Sequence, residues 1–320
     1  MEEHKNERQE QGVFDRMVLA VIGGDDREIY LIPELQKLGA YIIGLGLEES
    51  LVADTIECAD SFAEIAAKAD ALLFPMFGTD ERGLVKAKYT RQPIILNKEA
   101  LDIIPQHVPV FIGWARPALR AAAEKRGLRL IEVANRDEVA IMNSVPSAEG
   151  AIQMAMESTA ITIHGSESFV LGFGRFGLTL ARTLLGMGAR VSVAARKPSD
   201  WARAEEMGAR AVDLAYLEKE IAKGQIVFNT IPAMVLSRPV LDHMAPDAVI
   251  IDLASIPGGT DFEYARKRGV KAMLAPGLPG IVAPKTAGHM LARVYPSILA
   301  EYLPDVSWQR SVAIKEGEAC

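Results

Sequence analysis

The segment Phe169-Val-Leu-Gly-Phe-Gly-Arg-Phe-Gly-Leu-Thr-Leu-Ala-Arg-Thr-Leu-Leu185 constrains the fold more than any other stretch of the chain. A short apolar run ends in glycines at 172, 174 and 177, an amphipathic helical pattern follows, and a second apolar run, Val191 to Ala194, comes next. Strand, glycine turn, helix and strand in that order form the frame of a dinucleotide-binding unit. Gly172 permits the tight turn, Gly174 lets the backbone approach a pyrophosphate, and Gly177 lets the helix pack closely on the strand. The unpaired N–H groups at the helix start supply the anion site. Arg175 and Phe176 lie inside the turn and join the candidate cofactor residues.

An NAD site places an acidic residue roughly 20 residues beyond the first glycine, on the ribose hydroxyls. Here those positions read Ala194-Ala195-Arg196-Lys197. The missing carboxylate and the two cations suit the extra phosphate of NADP, and Arg196 can also stack on adenine. NADP is therefore expected over NAD. Asn229-Thr230-Ile231-Pro232 and the stretch from Asp252 to Ser255 each follow an apolar run. Beyond the carboxyl ends of strands they are expected to line the nicotinamide side, although Asn-Thr-Ile-Pro is also ordinary turn chemistry.

The same texture runs through the rest of the chain. Val18 to Ile22, Tyr41 to Leu45, Ala71 to Phe74, Ile94 to Leu96 and Val110 to Ile112 are short apolar runs, as are Ile226 to Phe228, Val249 to Ile251 and Ala272 to Leu274. Nearly continuous apolar runs suggest strands of a parallel sheet buried on both faces. Gly39, Gly127, Gly188, Gly208 and Gly269 close the amphipathic stretches between them, as glycines do at helix ends. The expected fold is α/β: two doubly wound parallel-sheet domains, the second of Rossmann type, joined by crossing helices. The 320 residues fit this, since about 150 per domain is usual. Residues 1–16 read as a polar leader, 17–146 as a substrate-binding domain, and 147–285 as a connecting helix capped by Ser147 plus the Rossmann domain. Residues 286–304 read as a helix returning to the first domain, and 305–320 as a tail. The two helices would frame a cleft between the domains.

For the substrate, Gly23-Gly-Asp-Asp-Arg-Glu28 forms a glycine-rich turn without the third glycine of a nucleotide fingerprint, and Arg27 is its expected ligand cation. Thr79, in the loop after the Ala71 run, and Ser144, on the connector, join it. Lys285 begins a helix, where a cation is unfavourable beside the positive dipole end unless an anion is expected; Thr286 neighbours it. A solvated lysine is the plain alternative. Arg116 and Arg82 read as surface charges. The catalytic base is left open between Glu149, His289, one turn after Lys285, and water.

Composition removes other classes. With 42 acidic and 35 basic side chains, a net charge of −7, the chain has no overall basic field for nucleic acid or an anionic membrane. No apolar run reaches the roughly 18 residues of a membrane span. Cys58 and Cys320 build neither a disulfide framework nor a zinc cluster, which suits a reducing cytoplasm. The histidines at 4, 107, 164, 243 and 289 lack metal-ligand spacing, so no metal is expected.

The ordered string Ile22-Gly-Gly-Asp25, Asn143-Ser-Val-Pro-Ser-Ala-Glu-Gly150, Ile163-His-Gly165, Val170-Leu-Gly-Phe-Gly-Arg-Phe-Gly177 and Leu278-Pro-Gly-Ile-Val-Ala-Pro-Lys-Thr-Ala-Gly288 resembles the dipicolinate synthase A-subunit family. The likeness spans approximately Met17 to Leu303. It implies oxidation of dihydrodipicolinate to dipicolinate with NADP as acceptor. It also implies a partner, the flavoprotein-like B-subunit, and the mother-cell cytoplasm of a sporulating bacterium as location; a homo-oligomer is compatible with it. Two other readings stay open: a different two-domain dehydrogenase of a small carboxylated metabolite, or a nucleotide-binding scaffold for a catalytic partner.

Overall fold

The computed structural model describes residues 13–303. The polar leader up to residue 12 with His4, and the tail from 304 with Cys320, lie outside the described residues. The chain divides into two units. One takes the chain up to Val139 and again from Pro284, and the other takes Ala140 to Ala283. The sequence pattern puts the divisions slightly later, after 146 and after 285.

The first unit contains strands β1 (Val18–Ile22), β2 (Tyr41–Leu45), β3 (Glu57–Cys58), β4 (Ala71–Leu73), β5 (Val110–Ile112) and β6 (Leu130–Glu132). Its helices are α1 (Asp26–Lys37), α2 (Phe62–Lys68), α3 (Lys98–Ile103) and α4 (Pro117–Arg126). Helix α5 (Asp137–Ser158) carries the chain into the second unit, the division falling inside it. That unit holds β7 (Glu167–Leu171), α6 (Arg175–Gly186), β8 (Arg190–Ala195), α7 (Pro198–Glu206), β9 (Arg210–Asp213) and α8 (Leu217–Glu220). It continues with β10 (Ile226–Asn229), α9 (Arg238–His243), β11 (Val249–Asp252), α10 (Phe262–Arg268), β12 (Lys271–Leu274) and α11 (Leu278–Val282). Helix α12 (Pro284–Ala300) belongs to the first unit again. There it packs on α1 so closely that a Cβ on Gly288 would lie 2.5 Å from the Arg27 carbonyl oxygen.

Each unit is built on a parallel six-stranded sheet, in the orders β3-β2-β1-β4-β5-β6 and β9-β8-β7-β10-β11-β12. Both are the doubly wound order, with the direction of winding reversing between β1 and β4 and between β7 and β10. The apolar runs are continuous because both sheet faces are covered. In β7, Val170 enters a core with Leu180, Phe228 and Ile251, while its neighbours Phe169 and Leu171 enter another with Val227, Leu241 and Ile250. Alternate residues of one strand thus serve opposite faces, and both sets are buried. In the first unit Ala20, Ile22, Leu72, Val110 and Ile112 share a core with Ile65, Leu101 and Leu119 from its helices. Gly39, Gly127, Gly188, Gly208 and Gly269 all adopt positive φ at the ends of helices.

Two expectations are corrected. Ser147 does not cap the connecting helix. That helix begins ten residues earlier at Asp137, whose charge and that of Glu138 favour a first turn, and Ser147 Oγ donates instead to the Asn143 carbonyl at 2.7 Å inside it. Ile94 to Leu96 is not a sheet strand. The segment makes an isolated antiparallel bridge to the loop at 84, and it reads as a strand because Ile94 and Leu96 are core residues all the same.

Candidate functional site

In the second unit the glycine turn has a division of labour. Gly172 has φ +90°, and a Cβ there would lie 2.5 Å from Thr230 Oγ1 and 2.9 Å from Ile231 Cγ1. A Cβ on Gly177, in the first turn of α6, would lie 2.2 Å from the Gly172 carbonyl oxygen. These two glycines are demanded by packing. Gly174 is different: it is the N-cap of α6, in extended conformation, and a Cβ on it would meet nothing within 4 Å. No side chain caps that helix end, and an uncapped helix N-terminus is the kind of position that holds a pyrophosphate. Across the turn, Thr230 Oγ1 donates to the Leu171 carbonyl at 2.8 Å and ties the end of β10 to the end of β7.

At the end of β8 the chain passes from buried Ala194 and Ala195 to exposed Arg196 and Lys197, and α7 starts at Pro198. Trp201 Nε1 donates to the Ala195 carbonyl at 2.9 Å, which anchors that strand end. The β8 terminus itself carries no carboxylate to repel a ribose phosphate. The residues present therefore fit a dinucleotide. Arg175 is exposed in the turn, and Phe176 is half-buried and packs on the core beneath α6.

The polar groups expected to face the nicotinamide are mostly committed elsewhere. Asn229 is fully buried. Its amide nitrogen donates to the Ile231 carbonyl at 3.2 Å and to Asp252 Oδ1 at 3.1 Å, and its amide oxygen accepts from Ile231 N at 3.0 Å. Asp252, equally buried, also accepts from Ala254 N at 3.1 Å, Gly259 N at 2.9 Å and Thr260 Oγ1 at 2.5 Å. Buried polar groups must be paired, and this pair meets that need by cross-linking the loops after β10 and β11. Both are corrected from ligand groups to loop supports. Half-buried Ile231 and exposed Pro232 and Ser255 remain at the surface of those loops.

In the first unit the Gly23–Gly24 turn is closed by the chain itself. Gly24 N donates to the Lys86 carbonyl at 2.7 Å and Lys88 N to the Gly24 carbonyl at 2.9 Å, and a Cβ on Gly23 would lie 2.8 Å from the Lys86 carbonyl oxygen. Where α6 leaves its N-terminus open, α1 fills its own with a capping box: Asp25 accepts from Arg27 N, and Glu28 Oε2 accepts from Asp25 N at 2.7 Å. Arg27, expected as the substrate cation, is buried and binds Asp25 in bidentate fashion, Nε at 2.8 Å and an η nitrogen at 2.9 Å. A guanidinium fork matches a carboxylate in this way, so Arg27 is corrected to an internal partner. Burial pushes the Asp25 carboxyl up, but hydrogen bonding and charge from Arg27, helped by Lys86, hold it below the usual range. Burial pushes Glu28 up to about 7 against the opposing charge of Arg27, and raises the phenol of buried Tyr295 on α12, with Glu28 adding to it.

The other candidates fall as follows. The buried Ser144 hydroxyl is held between the Ile141 carbonyl and Thr179 Oγ1, both at 2.6 Å, so it fixes α5 to α6 instead of facing a ligand. Glu149 is exposed on α5, and Lys285 and Thr286 lie in the first turn of α12, both exposed. His289 is half-buried, its ring edge-on to Tyr30 with centroids 6.0 Å apart. Thr79 is buried with its hydroxyl unpartnered among the described residues. Arg82 is exposed, and half-buried Arg116 reaches the Thr79 carbonyl at 3.4 Å. Sequence reading misses Asp25, Glu28 and Lys86; the capping-box spacing of Asp25 and Glu28 is the signal that finds the first two.

Residues 18–134 match the family model for the N-terminal domain of the dipicolinate synthase A-subunit, and residues 140–316 match alanine dehydrogenase/PNT, C-terminal domain. The chain is 41% identical over 286 residues to the dipicolinate synthase A-subunit of Bacillus subtilis (strain 168), an alignment covering 88% of this chain and 96% of that one. The chain belongs to the dipicolinate synthase A-subunit family. Solved structures of the family agree. The A-subunit from Bacillus halodurans matches with a TM-score of 0.86 at 39% identity over 90% of this chain and 99% of the other. The Bacillus subtilis structure matches with 0.82 at 40% identity, over 90% and 97%. The transhydrogenase from Sinorhizobium meliloti shares the fold at 18% identity, with a TM-score of 0.62 over 88% of this chain and 95% of that one. In this member of the dipicolinate synthase family the second unit is a dehydrogenase-family domain of the NAD(P)-binding kind. Among the described residues no helix is long and apolar enough to cross a membrane.

Proposed function

We propose that the chain oxidises dihydrodipicolinate to dipicolinate with NADP as acceptor, alongside a B-subunit, in the mother-cell cytoplasm of a sporulating bacterium. The observation that carries this reading is the contrast between the two glycine turns. The one before α6 is open, uncapped and followed at β8 by Arg196 and Lys197 instead of an acid, whereas the one before α1 is filled by its own side chains. One unit is thus prepared for a dinucleotide and the other for something else.

Bound at the α6 turn, NADP supplies a hydride acceptor. The N–H groups of the first α6 turn hold the diphosphate, and the open Gly174 gives it room. Arg196 and Lys197 take the ribose phosphate. Thr230 and Ile231 wall the turn, braced from beneath by Asn229 and Asp252. The oxidation removes one hydride and one proton from the dihydropyridine ring, and aromatisation provides the driving force, so positioning is the main task left to the protein. Glu149 and His289 are the side chains proposed to take the proton, with water as the alternative acceptor. Lys285 and Thr286 are the groups on α12 offered to a substrate carboxylate.

Freshly generated dihydrodipicolinate, presented anaerobically to the purified full chain with NADP or NAD, tests this when pyridine product and reduced cofactor are followed separately. Stoichiometric formation of both, faster with NADP, is expected. Arg196→Asp should shift the preference toward NAD by about tenfold or more, the loss of one charge-assisted phosphate contact. Product formed only when the B-subunit is present would support a scaffold role, and unchanged cofactor preference in Arg196→Asp would reject that residue's part.

A further inference from the structure

We infer that Lys86, in the loop after β4, holds one carboxylate of a planar ring substrate, with Phe77 as the residue that positions its ammonium. The inference rests on the proposed dicarboxylate substrate and names the site that receives it.

In a doubly wound sheet, ligands lie beyond the carboxyl ends of the strands where the winding reverses. In the first sheet that point is between β1 and β4. Two segments meet there: the Gly23–Glu28 turn after β1 and the long loop after β4. Gly24 forms a parallel bridge to Ala87, so Lys86 and Lys88 flank the bridged residue. Gly23 and Gly24 let the loop approach this closely.

The three acids and three cations at this point are not evenly paired. Lys88 Nζ meets both oxygens of Asp26, at 2.5 and 2.7 Å, and Tyr89 donates to the same carboxylate. Arg27 takes both oxygens of Asp25. Among the described residues, the one carboxylate Lys86 Nζ meets is Asp25, at 3.4 Å and through an oxygen already bonded to Arg27, and its side chain is 46% exposed. The remaining carboxylate, Glu28, is buried beneath and accepts from Asp25 N. Among the described residues, Lys86 is therefore the ammonium that has to share its carboxylate, and it is one that reaches solvent.

Its position is fixed as well. Lys86 Nζ stands 4.6 Å from the centroid of the Phe77 ring, itself partly exposed. A cation over an aromatic face is attracted by the ring quadrupole, which restrains a side chain that otherwise carries much rotamer freedom. The chemistry suits a carboxylate better than a phosphate. The N-terminus of α1 is already capped by Asp25, so it offers no open cradle of backbone donors, and a single ammonium matches a single carboxylate.

The test uses two stable ring acids, pyridine-2,6-dicarboxylate and pyridine-2-carboxylate, titrated calorimetrically into the full chain. Wild type should prefer the dicarboxylate. Lys86→Gln should weaken the dicarboxylate by about tenfold or more, the loss expected for one charged hydrogen bond, and bring the two ligands close to equal affinity. Lys86→Arg should restore most of the discrimination, and Phe77→Leu should weaken it partway. A merely structural lysine would lower both affinities together or change NADPH binding, and either result overturns the inference. Turnover by wild type with Lys86→Gln unchanged in KM rejects the site and leaves the oxidation standing. Lys86-dependent binding without turnover leaves the site standing and rejects the oxidation. If Lys86→Gln does not fold, the ratio of the two affinities in Lys86→Arg and Phe77→Leu decides, and an unaltered ratio in Phe77→Leu counts against the assignment.

Discussion

Glu28 gives the first unit a pH dependence whose sign follows from its surroundings. Its carboxyl is pushed from 4.5 up to about 7 by burial, against the pull of Arg27. Below its unfolded value the group is protonated whether the chain is folded or not; above about 7 the folded state must bury a charge that the unfolded state solvates. Stability is therefore lost as pH rises from the unfolded value to about 7, by roughly 3 kcal/mol when the loss is complete. Asp25 works in the opposite direction: its lowered value contributes stability at neutral pH that disappears on acidification. Glu28→Gln keeps an oxygen for the Asp25 N–H and cannot ionise. Urea unfolding of wild type and Glu28→Gln at about pH 5 and about pH 9 should show a gap that opens in favour of the variant at the higher pH; parallel behaviour would contradict the assignment. At this scale the sequence is readable in part. Asp25 and Glu28 carry a capping-box spacing, but nothing in the string says that Arg27 turns back onto Asp25, because side-chain direction depends on α12 packed against α1. Asn229 and Asp252 sit at the strand ends where the pattern puts them, yet their groups point inward: the loops they brace are the ones that surround the cofactor turn.

At the scale of the element, the turn between β7 and α6 separates packing from binding. Gly177→Ala puts a methyl group 2.2 Å from a backbone carbonyl that cannot yield alone. Overpacking of this kind costs about 1–3 kcal/mol, so the variant should melt lower and bind nucleotide poorly. Gly174→Ala meets no atom within 4 Å; its stability should change by less than about 0.5 kcal/mol, while NADPH affinity falls by about tenfold because the methyl occupies the space of the diphosphate. Thermal melts and calorimetric titrations of the two variants check the split, and a Gly174→Ala variant with wild-type affinity would remove the diphosphate from this turn. Interior strands are readable because both faces are buried and each keeps a run of three or more apolar residues. The strands missed are β3, β6 and β9, each at a sheet edge. These edge strands are short and partly polar, as in Glu57–Cys58 and Arg210–Asp213, and leave no continuous apolar run to read, whereas β12, the fourth edge strand, keeps the run Ala272 to Leu274 and is read.

At the scale of the whole molecule, one sheet order is used twice with different outcomes. The reversal points β1/β4 and β7/β10 are topologically equivalent, and glycines follow β1 and β7 alike. In the second unit the turn stays open at Gly174. In the first, the loop through Lys86 is drawn onto Gly23 and Gly24, and a capped α1 stands where an open helix end would be. The third glycine missing from the first turn is the readable sign of this. What fills its place is not readable, since the loop arrives from about sixty residues along the chain. The contrast carries function only if the second turn holds a nicotinamide nucleotide. Calorimetric titration of the purified full chain with NADPH and with NADH tests that most directly. Saturable binding at one site per chain, tighter for NADPH, is the predicted result; absence of binding by either nucleotide would contradict it.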